Sequence, residues 1–253
     1  MIAPDTLING DCLEVMKNIP DKSIDMILCD LPYGCTQNSW DSIIPFDLLW
    51  EEYHRVMKPN TAVVLFGDGI FSHKLAMSNP KEFRYNLVYA KRVPTGFLNA
   101  NRMPLRKHED ILVFYKHLPT YNPQMTKGTV ISRKATNDSR LSPNYGKFNP
   151  RYNYCSHGKR YPTSIISDQC DLIKNKITHA TQKPVAICEY LIKTYSNEGD
   201  VVLDNCCGSG TTAVACINTN RKYVCIEKDT EFYNTAKKKG RIGFKRQGTK
   251  GFK

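Results

Sequence analysis

Short unbroken apolar runs alternate along this chain with stretches of helical spacing. Residues 24–29 and 62–66 are the clearest runs. Neither alternates polar with apolar residues, as a strand with one wet face would. Both faces must be covered, which is the pattern of a buried parallel strand. Helical spacing occupies residues 12–19, stopped by Pro20, then 46–57, where Phe46, Leu49, Trp50, Tyr53 and Met57 fall on one side, then 71–77. Residues 85–91 and 110–115 read as two further strands. After Pro184 come a helix over 185–195, a strand over 201–203, a helix over 210–218, a strand over 223–226 and a helix from Thr230. The alternation predicts an α/β fold with a mostly parallel sheet.

The texture changes between residues 116 and 178. Apolar periodicity fades, and Pro, Asn, Ser, Tyr, Lys and Arg dominate. So long a stretch without regular structure is uncommon in a compact domain and is usually functional. The expected organisation is a first half over 1–115, an insertion over 116–178, and a second half over 179–253. Charge follows the same division. Residues 1–80 carry 5 basic and 11 acidic side chains, residues 81–178 carry 18 and 6, and residues 179–253 carry 13 and 7. A net charge of +12 concentrated after residue 80 points to a polyanionic partner. No apolar run approaches the roughly 20 residues of a membrane span, and the start lacks the pattern of a signal peptide. A cytoplasmic protein is expected. The ten cysteines show no CxxC pair and mostly sit among apolar neighbours, so most should be buried thiols. His108-Glu109-Asp110 is not the HExxH of a zinc site, and no metal is expected.

Two motifs carry chemistry. Asp204-Asn205-Cys206-Cys207-Gly208-Ser209-Gly210-Thr211-Thr212 follows a buried run and opens a helix. Glycines at such a turn let backbone approach a ligand, and the helix start offers free N–H groups. Glu227 ends the next strand, where a carboxylate can accept ribose hydroxyls. The alternative is a turn that serves only packing, beside a solvated Glu227. No Lys follows Gly210, so this is not a Walker loop. The second motif is Asp30-Leu31-Pro32-Tyr33-Gly34 at a strand end. Asp30 and the Leu31 carbonyl could accept from an exocyclic amine, Pro32 would stiffen the turn, and Tyr33 could stack on a planar base. Its alternative is a proline turn with a capping Asp30.

Asp30-Leu31-Pro32-Tyr33 resembles the Asp-Pro-Pro-Tyr motif of amino-methylating DNA methyltransferases. Residues 204–212 resemble that family's S-adenosylmethionine motif. His179-Ala180-Thr181-Gln182-Lys183-Pro184 resembles the segment that leads into it, and Gly10-Asp11-Cys12 resembles its short N-terminal cofactor contact. The order, with the catalytic motif first and the cofactor motif last, is that of the β class. The resemblance implies a Rossmann-like, seven-stranded mixed sheet with helices on both faces, and makes 1–115 the catalytic half, 116–178 the target-recognition insertion and 179–253 the cofactor half. It implies S-adenosylmethionine held by Asp11, Cys12, Asp30, Thr181, Gln182, Lys183, Asp204, Cys206, Gly208, Ser209, Gly210, Thr211, Thr212 and Glu227. It implies a base flipped from duplex DNA and direct methyl transfer, with Asp30, Leu31, Pro32 and Tyr33 as the catalytic turn. Leu31 stands where the family has Pro, and Cys206 where it has a Phe that packs on adenine. An Asp at the first position favours adenine, with the 4-amino group of cytosine as the alternative. A non-catalytic DNA-binding relative is a further alternative, disfavoured by the intact motifs. Relatives of this class are often homodimers.

The expected DNA contacts lie in two basic stretches. Arg92, Arg102, Arg106 and Lys107 are interleaved with amide and apolar residues, which suits phosphate contact and base stacking. Lys127, Arg133, Lys134, Arg140, Lys147, Arg151, Lys159 and Arg160 accompany Tyr145, Tyr152, Tyr154 and Tyr161. A flexible basic linker is the alternative for the second stretch.

Overall fold

A computed structural model of the chain describes residues 1–34, 42–133, 154–167 and 183–247. In chain order the elements are β1 (Thr6–Asn9), α1 (Cys12–Met16), β2 (Ile24–Cys29), α2 (Phe46–Val56), β3 (Met57–Gly67), α3 (Gly69–Ser78), β4 (Phe83–Thr95) and β5 (Arg106–Phe114). Then follow the short strands β6 (Thr126–Lys127), β7 (Ser132–Arg133), β8 (Tyr154–Cys155), β9 (Lys159–Arg160) and β10 (Ile165–Ser167). The chain closes with α4 (Val185–Tyr195), β11 (Val201–Asp204), α5 (Thr211–Asn218), β12 (Lys222–Glu227) and α6 (Thr230–Gln247).

The main sheet has the order β1-β12-β11-β2-β3-β5-β4-β10. All its neighbours are parallel except β5, which runs antiparallel to β3 and β4. The expected mixed α/β sheet is present, with eight strands rather than seven. The eighth, β10, comes from the stretch that reads as loop. Ile165, Ile166 and Ser167 pair with Val88, Tyr89 and Ala90 at the β4 edge, and Ile166 is buried. Three residues are too few to show a period of their own, so only the edge they join defines them.

Both faces of the central strands are buried, as the unbroken runs require. Met26, Leu28, Ala62 and Val64 pack with Ile187 and Leu191 of α4 and Ala215 of α5. Ile27, Cys29, Val63 and Leu65 pack on the opposite side with Met16 of α1, Leu49 and Tyr53 of α2, and Leu75 of α3. Truncating one such side chain to Ala costs about 2–5 kcal/mol.

The chain divides into a main unit, residues 1–122 and 164–253, and a second unit, Pro123–Thr163. The second unit contains the antiparallel pairs β6–β9 and β7–β8. Residues 116–122 belong to the main unit, where the Asn122 side-chain amide donates to the carbonyls of Lys193 (3.2 Å) and Ser196 (3.1 Å). The eight described cysteines are free thiols; six are buried, Cys206 is half-buried and Cys155 is exposed. Among the described residues no helix is long and apolar enough to cross a membrane, and no cluster of metal-ligating side chains occurs.

Candidate active site

Four adjacent parallel strands, β1, β12, β11 and β2, end on one edge of the sheet. From β11 the chain proceeds outward to β12, whereas from β2 it proceeds the other way to β3. The order therefore reverses between β11 and β2, and open α/β sheets form a ligand crevice at that point. Asp11 follows β1, Glu227 ends β12, Asp204 ends β11 and Asp30 follows β2. Neighbouring strands lie about 4.8 Å apart, so the Glu227 and Asp30 ends are separated by roughly 10 Å. Residues some 200 positions apart in sequence thus face one crevice.

The glycine turn is shaped for close approach. Gly208 and Gly210 adopt φ of +51° and +81°, in the left-handed region that glycine occupies without strain. A Cβ at Gly208 would meet nothing within 4 Å, whereas one at Gly210 would lie 2.8 Å from the Ala236 Cβ. Gly210 is therefore required by α6, and Gly208 faces open space. The Glu227 carboxylate anchors the turn by accepting from the Gly208 N–H at 2.7 Å and the Asp229 N–H at 2.8 Å. Burial pushes Glu227 above the usual carboxylate range, partly offset by those two N–H groups. Asp11 caps α1 by accepting from Leu13 N–H at 3.1 Å, and Lys228 reaches its other oxygen at 3.1 Å.

Asp204 is buried and accepts from Cys206 N–H at 3.1 Å. Burial pushes it up to about 7, restrained by hydrogen bonds from Thr212, Cys206 N–H and Cys29. Asn205 is locked by the Tyr53 hydroxyl, which donates to its Oδ1 at 2.5 Å. Cys206 packs on the α1–α2 core rather than standing free. It fills the family's Phe position without offering a ring. The hydrogen bond with Cys206 and burial both push the Cys12 thiol up, and burial does the same to Cys29. These thiols stay protonated, in line with a site that needs no sulfur nucleophile.

The Asp30–Tyr33 turn is already assembled. The Tyr33 hydroxyl donates to Asp30 Oδ1 at 2.8 Å, and the Lys183 ammonium sits 2.7 Å from Asp30 Oδ2. Leu31 buries its side chain, so its backbone carbonyl is its usable polar group. Phe71 of α3 stacks on the Tyr33 ring, with centroids 4.7 Å apart and planes 27° off parallel. Burial first, and then the Asp30 charge, push the Tyr33 hydroxyl well above its ordinary value, so it remains a donor.

Lys183, expected among the cofactor contacts, pairs with Asp30 of the turn after β2. Its Nζ is also 3.0 Å from Glu109 Oε2, and Lys91 approaches Glu109 Oε1 at 3.2 Å. Lys183 and Glu109 are largely buried, with side-chain exposures of 13% and 17%. Burial alone would lower the Lys183 ammonium, yet Asp30 and Glu109 hold it above its ordinary value. Burial would likewise raise Glu109, and the Lys183 and Lys91 charges hold it below. Glu109 was not among the sequence candidates. The available signal was a carboxylate at the start of a buried strand, which requires a cationic partner.

Of the remaining sequence candidates, Ser209, Thr211 and Thr212 lie on the glycine turn and the first turn of α5. Thr181 and Gln182 fall outside the described residues, as do Lys134, Arg140, Lys147 and Arg151. Arg92, Arg102, Arg106 and Lys107 are exposed on β4, β5 and the connection between them. Arg106 pairs with Asp68 at 3.2 Å. The same connection exposes Phe97 and Leu98. In the second unit Arg133 lies on β7, while Lys127 and Lys159 are exposed and directly opposite each other on β6 and β9. Arg160 is half-buried and donates to the carbonyl and the hydroxyl of Thr129; there it braces the strand pair.

A family model described as "DNA methylase" matches residues 24–238. The type II methyltransferase M.HpaI of Haemophilus parainfluenzae is 30% identical over 251 residues, covering 92% of this chain and 73% of that protein. DNA adenine methyltransferase YhdJ of Escherichia coli (strain K12) is 28% identical over 238 residues, covering 90% and 79%. Among solved structures, the M1.HpyAVI-SAM complex superposes with a TM-score of 0.60 at 24% identity, covering 92% of this chain and 98% of that one. The PvuII cytosine-N4-specific DNA methyltransferase superposes with a TM-score of 0.66 at 13% identity, covering 97% and 93%. Those two structures share the fold. With the family match spanning most of its length and its motifs gathered at one sheet edge, this chain belongs to the DNA methylase family.

Proposed function

We propose that this protein is a site-specific DNA methyltransferase that moves a methyl group from S-adenosylmethionine to the 6-amino group of a flipped adenine. The observation that carries the reading is the convergence of Asp30 and the Gly208–Glu227 turn on one crevice, two strands apart. The relative YhdJ, named as an adenine methyltransferase, and the Asp at the head of the catalytic turn support adenine.

The crevice suits the cofactor. Open space before Gly208 admits a close approach to backbone. Glu227 keeps lone pairs beyond the two it uses, enough to accept ribose hydroxyls. When bound, S-adenosylmethionine supplies a methyl group on a sulfonium leaving group. Asp30 and the Leu31 carbonyl accept the two amine hydrogens and so aim the nitrogen lone pair. Tyr33, backed by Phe71, presents a fixed ring for the base. Holding the reactants in line, with dipoles already in place, supplies most of the acceleration.

The basic connection from Arg92 to Lys107 and the lysines of the second unit provide phosphate contacts. The proposal keeps the expected homodimer and a cytoplasmic setting; sedimentation tests the first. The decisive test of the site uses labelled S-adenosylmethionine and unmethylated duplex DNA. Wild type transfers label, and Asp30→Ala loses transfer while still binding the cofactor. Full activity in Asp30→Ala would overturn the assignment.

A further inference from the structure

We infer that Lys183 and Glu109 are positioning residues that fix which oxygen of Asp30 the target amine can claim, an inference that rests on the function proposed above. Lys183 Nζ lies 2.7 Å from Asp30 Oδ2 and the Tyr33 hydroxyl lies 2.8 Å from Oδ1. The ammonium is a buried charge, and leaving Oδ2 would cost it one of its two counter-ions. The hydroxyl is neutral and can yield. An incoming amine therefore takes Oδ1, and the carboxylate is held from behind by Lys183.

Glu109 sets where Lys183 stands. Its Oε2 is buried and lies 3.0 Å from Nζ. Attraction to both carboxylates holds the ammonium between them. Lys91 satisfies the other oxygen of Glu109 at 3.2 Å, so the two acids and two bases balance. Lys183 also lies over the Phe66 ring, 5.0 Å from its centroid, which closes the seat from below. The titratable groups around Asp30 are Lys183 ahead of α4, the Tyr33 hydroxyl, Asp204 on β11, Cys29 on β2 and Cys188 on α4, with Glu109 on β5 and Lys91 on β4 behind Lys183.

Removing Lys183 would leave Asp30 and Glu109 without the cation between them, while Lys91 stays on the far oxygen of Glu109. A like charge nearby disfavours ionisation. A proton on Asp30 would block its acceptor role. Removing Glu109 as well lifts that conflict, so the double variant should work better than Lys183→Met alone.

The test measures kcat against pH at saturating cofactor and DNA, with cofactor affinity by calorimetry, for Lys183→Met, Glu109→Gln and the double variant. Lys183→Met should lower kcat by roughly 100-fold and move the acid limb to higher pH, with cofactor Kd within about threefold. Glu109→Gln should lower kcat by about tenfold and move the limb to lower pH, and the double variant should regain about tenfold over Lys183→Met. Losses that simply add, with unmoved limbs, would reduce both residues to packing and overturn the proposal. So would loss of cofactor binding with kcat preserved. If Lys183→Met does not fold, Glu109→Gln decides: a moved limb upholds the proposal and a wild-type profile overturns it. Failure of the underlying function would show differently, as Asp30→Ala remaining active.

Discussion

The Tyr33 hydroxyl donates to Asp30 Oδ1 at 2.8 Å, on the oxygen that Lys183 leaves to the substrate amine. Tyr33 therefore has two separable parts. Its ring is a platform backed by Phe71, and its hydroxyl is a placeholder that must move aside. Tyr33→Phe should keep kcat within about fivefold of wild type, and Tyr33→Ala should lose roughly 100-fold, because stacking is worth about 1–3 kcal/mol per base. Single-turnover methylation separates the two. Equal losses in both variants would give the hydroxyl a larger part than a placeholder.

Glu227 holds the glycine turn in the shape the cofactor meets. Its carboxylate accepts from Gly208 N–H and Asp229 N–H, and hydrogen bonds to charged groups are worth about 1.5–3 kcal/mol. Glu227→Ala should raise the cofactor Kd by roughly 10–100-fold, measured by titration calorimetry. An unchanged Kd would remove Glu227 from the cofactor site.

Asp204 makes stability depend on pH. Burial raises its folded-state value to about 7, against about 4 in the unfolded chain. The folded state therefore holds a proton that the unfolded state releases. That contribution is complete below about pH 4 and is lost as pH rises through about 7, a total of about 4 kcal/mol. Asp204→Asn keeps an acceptor for Cys206 N–H and cannot ionise. Its stability relative to wild type should rise between pH 5 and pH 8 in urea titrations. A constant difference across that range would show that Asp204 does not titrate there.

Lys127 and Lys159 stand directly opposite on an exposed strand pair, where like charges repel. A phosphate between them would relieve that repulsion. Replacing both by Gln should leave the fold equally or more stable. It should also flatten the slope of log Kobs for DNA against log salt by about 2. A slope equal to that of wild type would remove these lysines from the DNA contact.

Three of the strands that build the crevice, β2, β11 and β12, were legible because their runs are apolar on both faces, and the two motifs were legible because glycines and prolines mark their turns. Three features were not. The strand at Ile165–Ser167 is three residues long and exists only through its pairing with β4. Arg160 is one of the expected phosphate contacts, and only the fold reveals that one nitrogen of its guanidinium donates to Thr129. The approach of Lys183 to Glu109 joins residues from either side of the second unit. Each residue alone suggests a charge, and neither names its partner. His108-Glu109-Asp110 lacks the spacing of a metal motif, and its middle residue pairs with Lys183 instead.

The central claim is transfer to the amino group of adenine in duplex DNA. The most direct measurement is mass spectrometry of nucleosides from duplex DNA incubated with the protein and labelled S-adenosylmethionine. The account predicts label in N6-methyladenine at one recurring sequence context, and none after Asp30→Ala. Label in N4-methylcytosine, or in RNA but not DNA, would contradict it.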